Sequence, residues 1–177
     1  ANGVQVTNGW VILNNSNYGL GYTVSDKWNN NCHDFITPAG TASIRVYLCI
    51  GGVYYVKAQV LFDNIQIGAY PDQAIVNYDF EAVEYRSLGG RGASVAGPSV
   101  WNLMTTNSGG NWDSAGTNTY MNNYILSTHT ESDGNQVMKL APVTTTKGYA
   151  VAYSNYIPVE SNTTYVFSYD QKIDLGE

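Results

Sequence analysis

Charge is scarce in this chain: only 12% of its 177 residues are Asp, Glu, Lys or Arg, and just 8 are basic. Binding a phosphate backbone or an anionic membrane surface needs a basic patch, and the formal net charge of -6 adds repulsion instead. Nucleic acid is therefore not an expected partner. Long apolar runs are missing as well. A spanning helix needs about 20 such residues, whereas the greasiest stretches, Tyr47–Ile50 and Val53–Val56, are strand-length. No membrane span is expected. The two histidines, His33 and His129, stand apart from any Ser or Cys motif, and Gly89-Gly90-Arg91-Gly92 lacks the strand–helix setting and the lysine of a phosphate loop. Glycoside cleavage needs two carboxylates across a cleft; Asp113, Glu131 and Asp133 lie in loop-like segments with nothing to select a pair. The chain is not expected to be an enzyme.

Cysteine is nearly absent too. Cys32 and Cys49 flank the turn Pro38-Ala39-Gly40-Thr41, and a hairpin about that turn would bring them nearly opposite each other. A disulfide is one reading in an oxidising compartment; two small buried hydrophobes is the other.

Aromatic and uncharged polar residues are plentiful. There are 15 Tyr and 4 Trp, and solubility must come from Asn, Thr, Ser and Gly. Such a surface suits a neutral, hydroxyl-rich ligand. The apolar pattern has period two: Ile44, Val46, Leu48 and Ile50 alternate with Ser43, Arg45, Tyr47 and Cys49, and Tyr165, Phe167, Tyr169 and Ile173 repeat the pattern. Further strands are expected near Val4–Leu13, His33–Thr37, Val60–Ile67, Ala74–Phe80, Gln136–Leu140 and Gly148–Tyr153. Turn-formers such as Gly51-Gly52, Ser108-Gly109-Gly110 and Asp133-Gly134-Asn135 separate them. Many short strands and no amphipathic helix predict an all-β chain, a β-sandwich or jelly roll of two antiparallel sheets. The stretch Glu84–Asn123, poor in strand signal, reads as a binding loop or insert.

Two sets of segments carry a further pattern. Asn77-Tyr78-Asp79-Phe80-Glu81, then Gly134–Leu140, Ile157-Pro158-Val159 and Thr164–Tyr169, resembles the opening half of carbohydrate-binding modules of the family 4, 16 and 22 type. Trp28, Phe35–Gly40, Ile44–Leu48 and Leu61–Ile67 resemble the closing half of the same modules. The order is reversed. The resemblance thus divides the chain into a closing half at 1–69, a linker at 70–76 and an opening half at 77–177. Either one sandwich forms within the chain, or two are shared with neighbouring copies, since half a sandwich leaves an apolar face and strand edges bare.

The resemblance implies a secreted or cell-surface protein that binds neutral polysaccharide, with aromatic faces stacking on sugar rings and amides reading hydroxyls. Trp101, Trp112, Trp10, Tyr120 and Tyr124 are the candidate platforms, Trp101 matching the family position best; Gln136, Asn102, Asn111, Asn122 and Gln5 are candidate hydroxyl readers. Trp28 reads as a packing residue. The resemblance also implies a structural calcium ion, with Asp63 and Glu81 at the ligand positions and Asp79 as a third. From the split order alone, the alternative is a self-assembling subunit of an extracellular filament or surface layer.

Overall fold

The computed structural model describes residues 4–5, 27–56, 59–69, 73–78, 80, 83–87, 94–98, 101–106, 112–116, 120–121, 124–143 and 146–174. Among these the chain is all-β. Its strands are β1 (Val4–Gln5), β2 (Asn29–Ile36), β3 (Ser43–Ile44), β4 (Tyr47–Val56), β5 (Gln59–Ala69), β6 (Gln73–Tyr78), β7 (Val83–Ser87), β8 (Ser94–Pro98), β9 (Trp101–Thr106), β10 (Trp112–Gly116), β11 (Tyr120–Met121), β12 (Tyr124–Thr130), β13 (Gln136–Pro142), β14 (Thr146–Ser154), β15 (Ile157–Pro158) and β16 (Thr164–Asp174). No helix among the described residues is long and apolar enough to cross a membrane.

Two sheets face each other across one core. The larger has the order β1-β2-β16-β5-β13-β12-β11, with β6 paired to the far end of β5, and the smaller has the order β10-β9-β14-β4. All the pairings are antiparallel except that of β1 with β2. Strands from 1–69 and from 77–177 are paired with each other in both sheets: β16 lies between β2 and β5, and β4 edges β14. The core draws on both segments. Phe35, Leu48, Ile50, Phe62, Ile65 and Ile67 meet Trp101, Leu103, Leu126, Met138, Leu140, Ala152 and Phe167 there.

Period two explains this burial, and one exception to it explains a sequence motif. On β16, Tyr165, Phe167 and Tyr169 point inward without interruption. On β5 the inward set changes parity, from Val60 and Phe62 to Ile65 and Ile67. The register shifts between Ser168, opposite Gln66, and Asp170, opposite Asp63, so β5 carries one extra residue. Asn64, with φ at 48°, takes the left-handed conformation that Asn tolerates better than most residues. The Asn64 N–H donates to Asp63 Oδ1 at 2.8 Å, and the Asn64 amide donates to Asp170 Oδ2 at 2.8 Å. Phe62-Asp63-Asn64 is thus a β-bulge that keeps two apolar pairs facing one core.

The structure departs from the sequence reading in three places. Pro38-Ala39-Gly40-Thr41 does form a turn, closed by the Thr41 N–H on the Pro38 carbonyl at 3.2 Å with Gly40 at φ 81°. It does not fold β4 back onto β2: β2 belongs to the larger sheet and β4 to the smaller, so the chain crosses the core instead. Cys32 and Cys49 are accordingly free and on different sheets, which corrects the disulfide expectation. Residues 84–123 are not one long loop, because β9 is an inner strand of the smaller sheet with Trp101, Leu103 and Thr105 buried. The expected linker likewise runs into a strand, β6, which pairs with β5 from Gln73 onward.

Candidate functional site

The outer face of the smaller sheet follows from the same alternation. Leu48 and Ile50 on β4, and Ala150, Ala152 and Ser154 on β14, face the core, so Tyr47, Tyr149, Val151, Tyr153 and Asn155 are left for the other side, where Val151 is itself buried. On β9 the corresponding residues are Asn102 and Met104. Tyr47 and Tyr153 are directly opposite across the ladder, their rings 5.8 Å apart and within 20° of parallel. Beside them the Arg45 guanidinium lies 3.7 Å from the centroid of the Tyr156 ring and 5.4 Å from that of Tyr153. Tyr156 is 65% exposed although one side of its ring is covered by Arg45, which leaves its other side to solvent. The Asn102 amide donates to Asn155 Oδ1 at 3.4 Å next to this cluster.

Local structure holds the cluster in place. Ser154 is fully buried where β14 ends; its N–H donates to the Val46 carbonyl at 3.1 Å and its Oγ accepts from the Val46 N–H at 3.1 Å. The Ser154 hydroxyl donates in turn to the Asn155 carbonyl at 2.8 Å. These bonds fix Arg45, which precedes Val46, against Tyr156, which follows Asn155. Cation–π contact of this kind contributes about 0.5–1 kcal/mol at exposed sites. Cys49 lies on the same outer face, exposed as a residue; burial nonetheless pushes its thiol up to about 11, so it stays protonated and weakly nucleophilic at neutral pH.

The sequence-predicted residues are scattered. Trp101 is fully buried, tilted at 52° against Phe80 with centroids 6.1 Å apart, and Tyr124 is also fully buried. Both are corrected from platform to core, since a stacking face needs access. Burial, and secondarily the Cys49 thiol, raise the phenol pKa of Tyr124. Trp112 opens β10 opposite Thr106 in the ladder. Tyr120 pairs with Ile125 at the edge of the larger sheet, Gln5 pairs with Ile36, and Gln136 is half-buried opposite Thr130. Trp10, Asn111, Asn122, Asp79 and Glu81 lie outside the described residues. Trp28 is 36% exposed, with Lys172 Nζ 5.8 Å from its ring centroid.

Asp63 is 5% exposed and its oxygens already accept protons: Oδ1 from Asn64 N–H and Oδ2 from the Asn135 amide at 2.8 Å. Among the described residues no three carboxylate, imidazole or thiol side chains gather as a metal set. Calcium asks for about six to eight oxygen ligands. Asp63 thus braces the bulge, and the other two expected ligands, Asp79 and Glu81, lie outside the described residues. Tyr47, Tyr153, Tyr156 and Arg45 were missed at the sequence level. The signal was present: Arg45 and Tyr47 occupy the polar phase of the alternation Ser43–Ile50, where a solvent-facing aromatic stands out.

No protein-family model, curated protein or solved structure matches the chain.

Proposed function

We propose that the protein is a non-catalytic polysaccharide-binding sandwich that takes its ligand on the outer face of the smaller sheet. The observation that carries this reading is the near-parallel Tyr47–Tyr153 pair with the exposed Tyr156 alongside and the Asn102–Asn155 amides next to it. Aromatic rings offer flat apolar area to the C–H faces of sugars, and amides both donate to and accept from hydroxyls. The resemblance of both chain segments to family 4, 16 and 22 carbohydrate-binding modules supports it, as does the union of those segments, in reversed order, around one core. An extracellular or cell-surface setting belongs to the same proposal.

The test is a titration of β-glucans, mannans and xylans followed by calorimetry and aromatic fluorescence. Tyr153→Ala is expected to weaken binding by roughly tenfold or more while leaving the melting temperature within a few degrees. Absence of binding to every glycan in a chemically broad panel would sink the reading. A structural calcium ion is proposed only in so far as Asp79 and Glu81 reach Asp63; a rise in melting temperature on adding calcium, reversed by a chelator, is its measurement. The alternative, a self-assembling subunit of an extracellular filament or surface layer, is tested by light scattering with and without calcium, where a strict monomer would remove it. Halves that share a core within one chain need no neighbour to complete them.

A further inference from the structure

We infer that Arg45 makes this face selective for sugars bearing a carboxylate, so that the polysaccharide is uronate-containing rather than neutral. The inference rests on the polysaccharide reading and narrows it. Arg45 is one of only 8 basic residues in a chain of net charge -6, yet no carboxylate, carbonyl or hydroxyl among the described residues accepts a hydrogen bond from it. Its Nε is buried without a partner, while neither terminal nitrogen joins it among the buried unpartnered atoms, so the Nη edge keeps contact with solvent. The guanidinium carbon lies over the Tyr156 ring at 3.7 Å and over the Tyr153 ring at 5.4 Å, which holds the group beside the solvent-facing edge.

A held guanidinium with two free N–H groups side by side matches the planar oxygen pair of a carboxylate, and such pairing is stronger and more directional than a neutral hydrogen bond. Ordering the side chain beforehand removes much of the entropy cost of forming that pair. A uronate ring lying against Tyr156 or Tyr153 would bring its carboxylate to this edge. The chain's overall negative charge opposes the approach of a polyanion, but screening limits that repulsion to about 8 Å at physiological salt. The contact at Arg45 decides.

The experiment compares a uronate-rich polysaccharide, such as polygalacturonate or glucuronoxylan, with the same polymer after its carboxyl groups are reduced to alcohols. Calorimetry or affinity electrophoresis with the full chain is expected to show at least ~10-fold weaker binding of the reduced form. Arg45→Gln should bring the native polymer down to the level of the reduced one. Arg45→Lys keeps the charge and loses the fork, and should lose most of the preference; a melting curve establishes that each variant is folded. Equal binding of native and reduced polymers overturns the inference and leaves the sugar-binding reading standing. Preference for a sulfated polymer over the uronate assigns the site to a sulfate ester and overturns the carboxylate. Failure to bind either form, or any neutral glycan, removes both.

Discussion

Replacing Trp101 with alanine separates the two aromatic populations of this protein. The indole is fully buried in the core between the sheets, on an inner strand, and packs against Phe80. Truncating a buried Trp removes its transfer free energy and leaves a cavity that a two-sheet core closes only partly, at a cost of about 3–5 kcal/mol. For a chain of this size each kcal/mol moves the midpoint by about 2–4 °C. Thermal unfolding of Trp101→Ala should therefore shift down by roughly 6–20 °C. Tyr153→Ala supplies the opposite arm: Tyr153 is half-buried on the outer face, so its loss should cost about 1 kcal/mol or less while removing much of the glycan affinity. Circular dichroism melts and glycan titrations on both variants complete the cross. A Trp101→Ala protein that melts like the parent but no longer binds would refute the assignment, because it would make Trp101 a platform. Acrylamide quenching adds an independent reading, since the Trp101 indole should be less accessible than that of Trp28.

Three other outcomes follow from the same geometry. Asp63→Ala strands the Asn64 N–H and the Asn135 amide at the bulge and should cost about 1–3 kcal/mol in a denaturant titration; an unchanged midpoint would mean that the bulge does not depend on that carboxylate. Alkaline stability should fall above about pH 9, because Cys49 is held up to about 11 and Tyr124 is also raised, so the folded state keeps protons that the unfolded chain releases. Cys49→Ser should flatten part of that slope in melts between pH 8 and pH 10.5, and a parent with no alkaline slope would contradict the assignment. Alkylation in denaturant without reductant should label both Cys32 and Cys49, as their places on separate sheets require; a product two hydrogens light and unlabelled would restore the disulfide.

The strands of this fold were largely legible before any coordinates, and its pairings were not. Alternation is a local property, so Val60–Ile67, Gln136–Leu140 and Thr164–Ile173 could be read directly as strands, whereas the alternating run Ile44–Ile50 is broken at Arg45-Val46 into β3, paired with β15, and β4, in the smaller sheet. Which strand lies beside which depends on crossings that no local pattern records. The turn after Pro38 has ordinary type II chemistry whether the chain folds back or crosses to the opposite sheet, and here it crosses. β9 escaped notice because Asn102, Thr105 and Thr106 make a polar-looking run whose buried apolar members, Trp101 and Leu103, are only two. At the site the error was one of residue type. Tryptophan is the obvious stacking residue, but its large apolar area also makes it valuable in a core. Tyrosine on the polar phase of a strand was the better sign.

That distinction has a physical basis in the sandwich itself. Each strand of the smaller sheet must spend one side on the core, and Leu48, Ile50, Leu103, Ala150 and Ala152 do so. The other side is packed only in part, with Val151 buried and Tyr47 and Tyr153 half-buried, so exposed residues such as Tyr149 and Tyr156 can be chosen for a ligand at little cost in stability. Alanine at 150 and 152 lets β14 pass close over the core, while Tyr149 and Tyr153 on the same strand carry large rings outward. Among the described residues no group accepts a hydrogen bond from Arg45, whose guanidinium lies over the Tyr156 and Tyr153 rings. Its survival without a partner in a chain of net charge -6 is what makes the outer face, rather than the tryptophans, the place to look for binding.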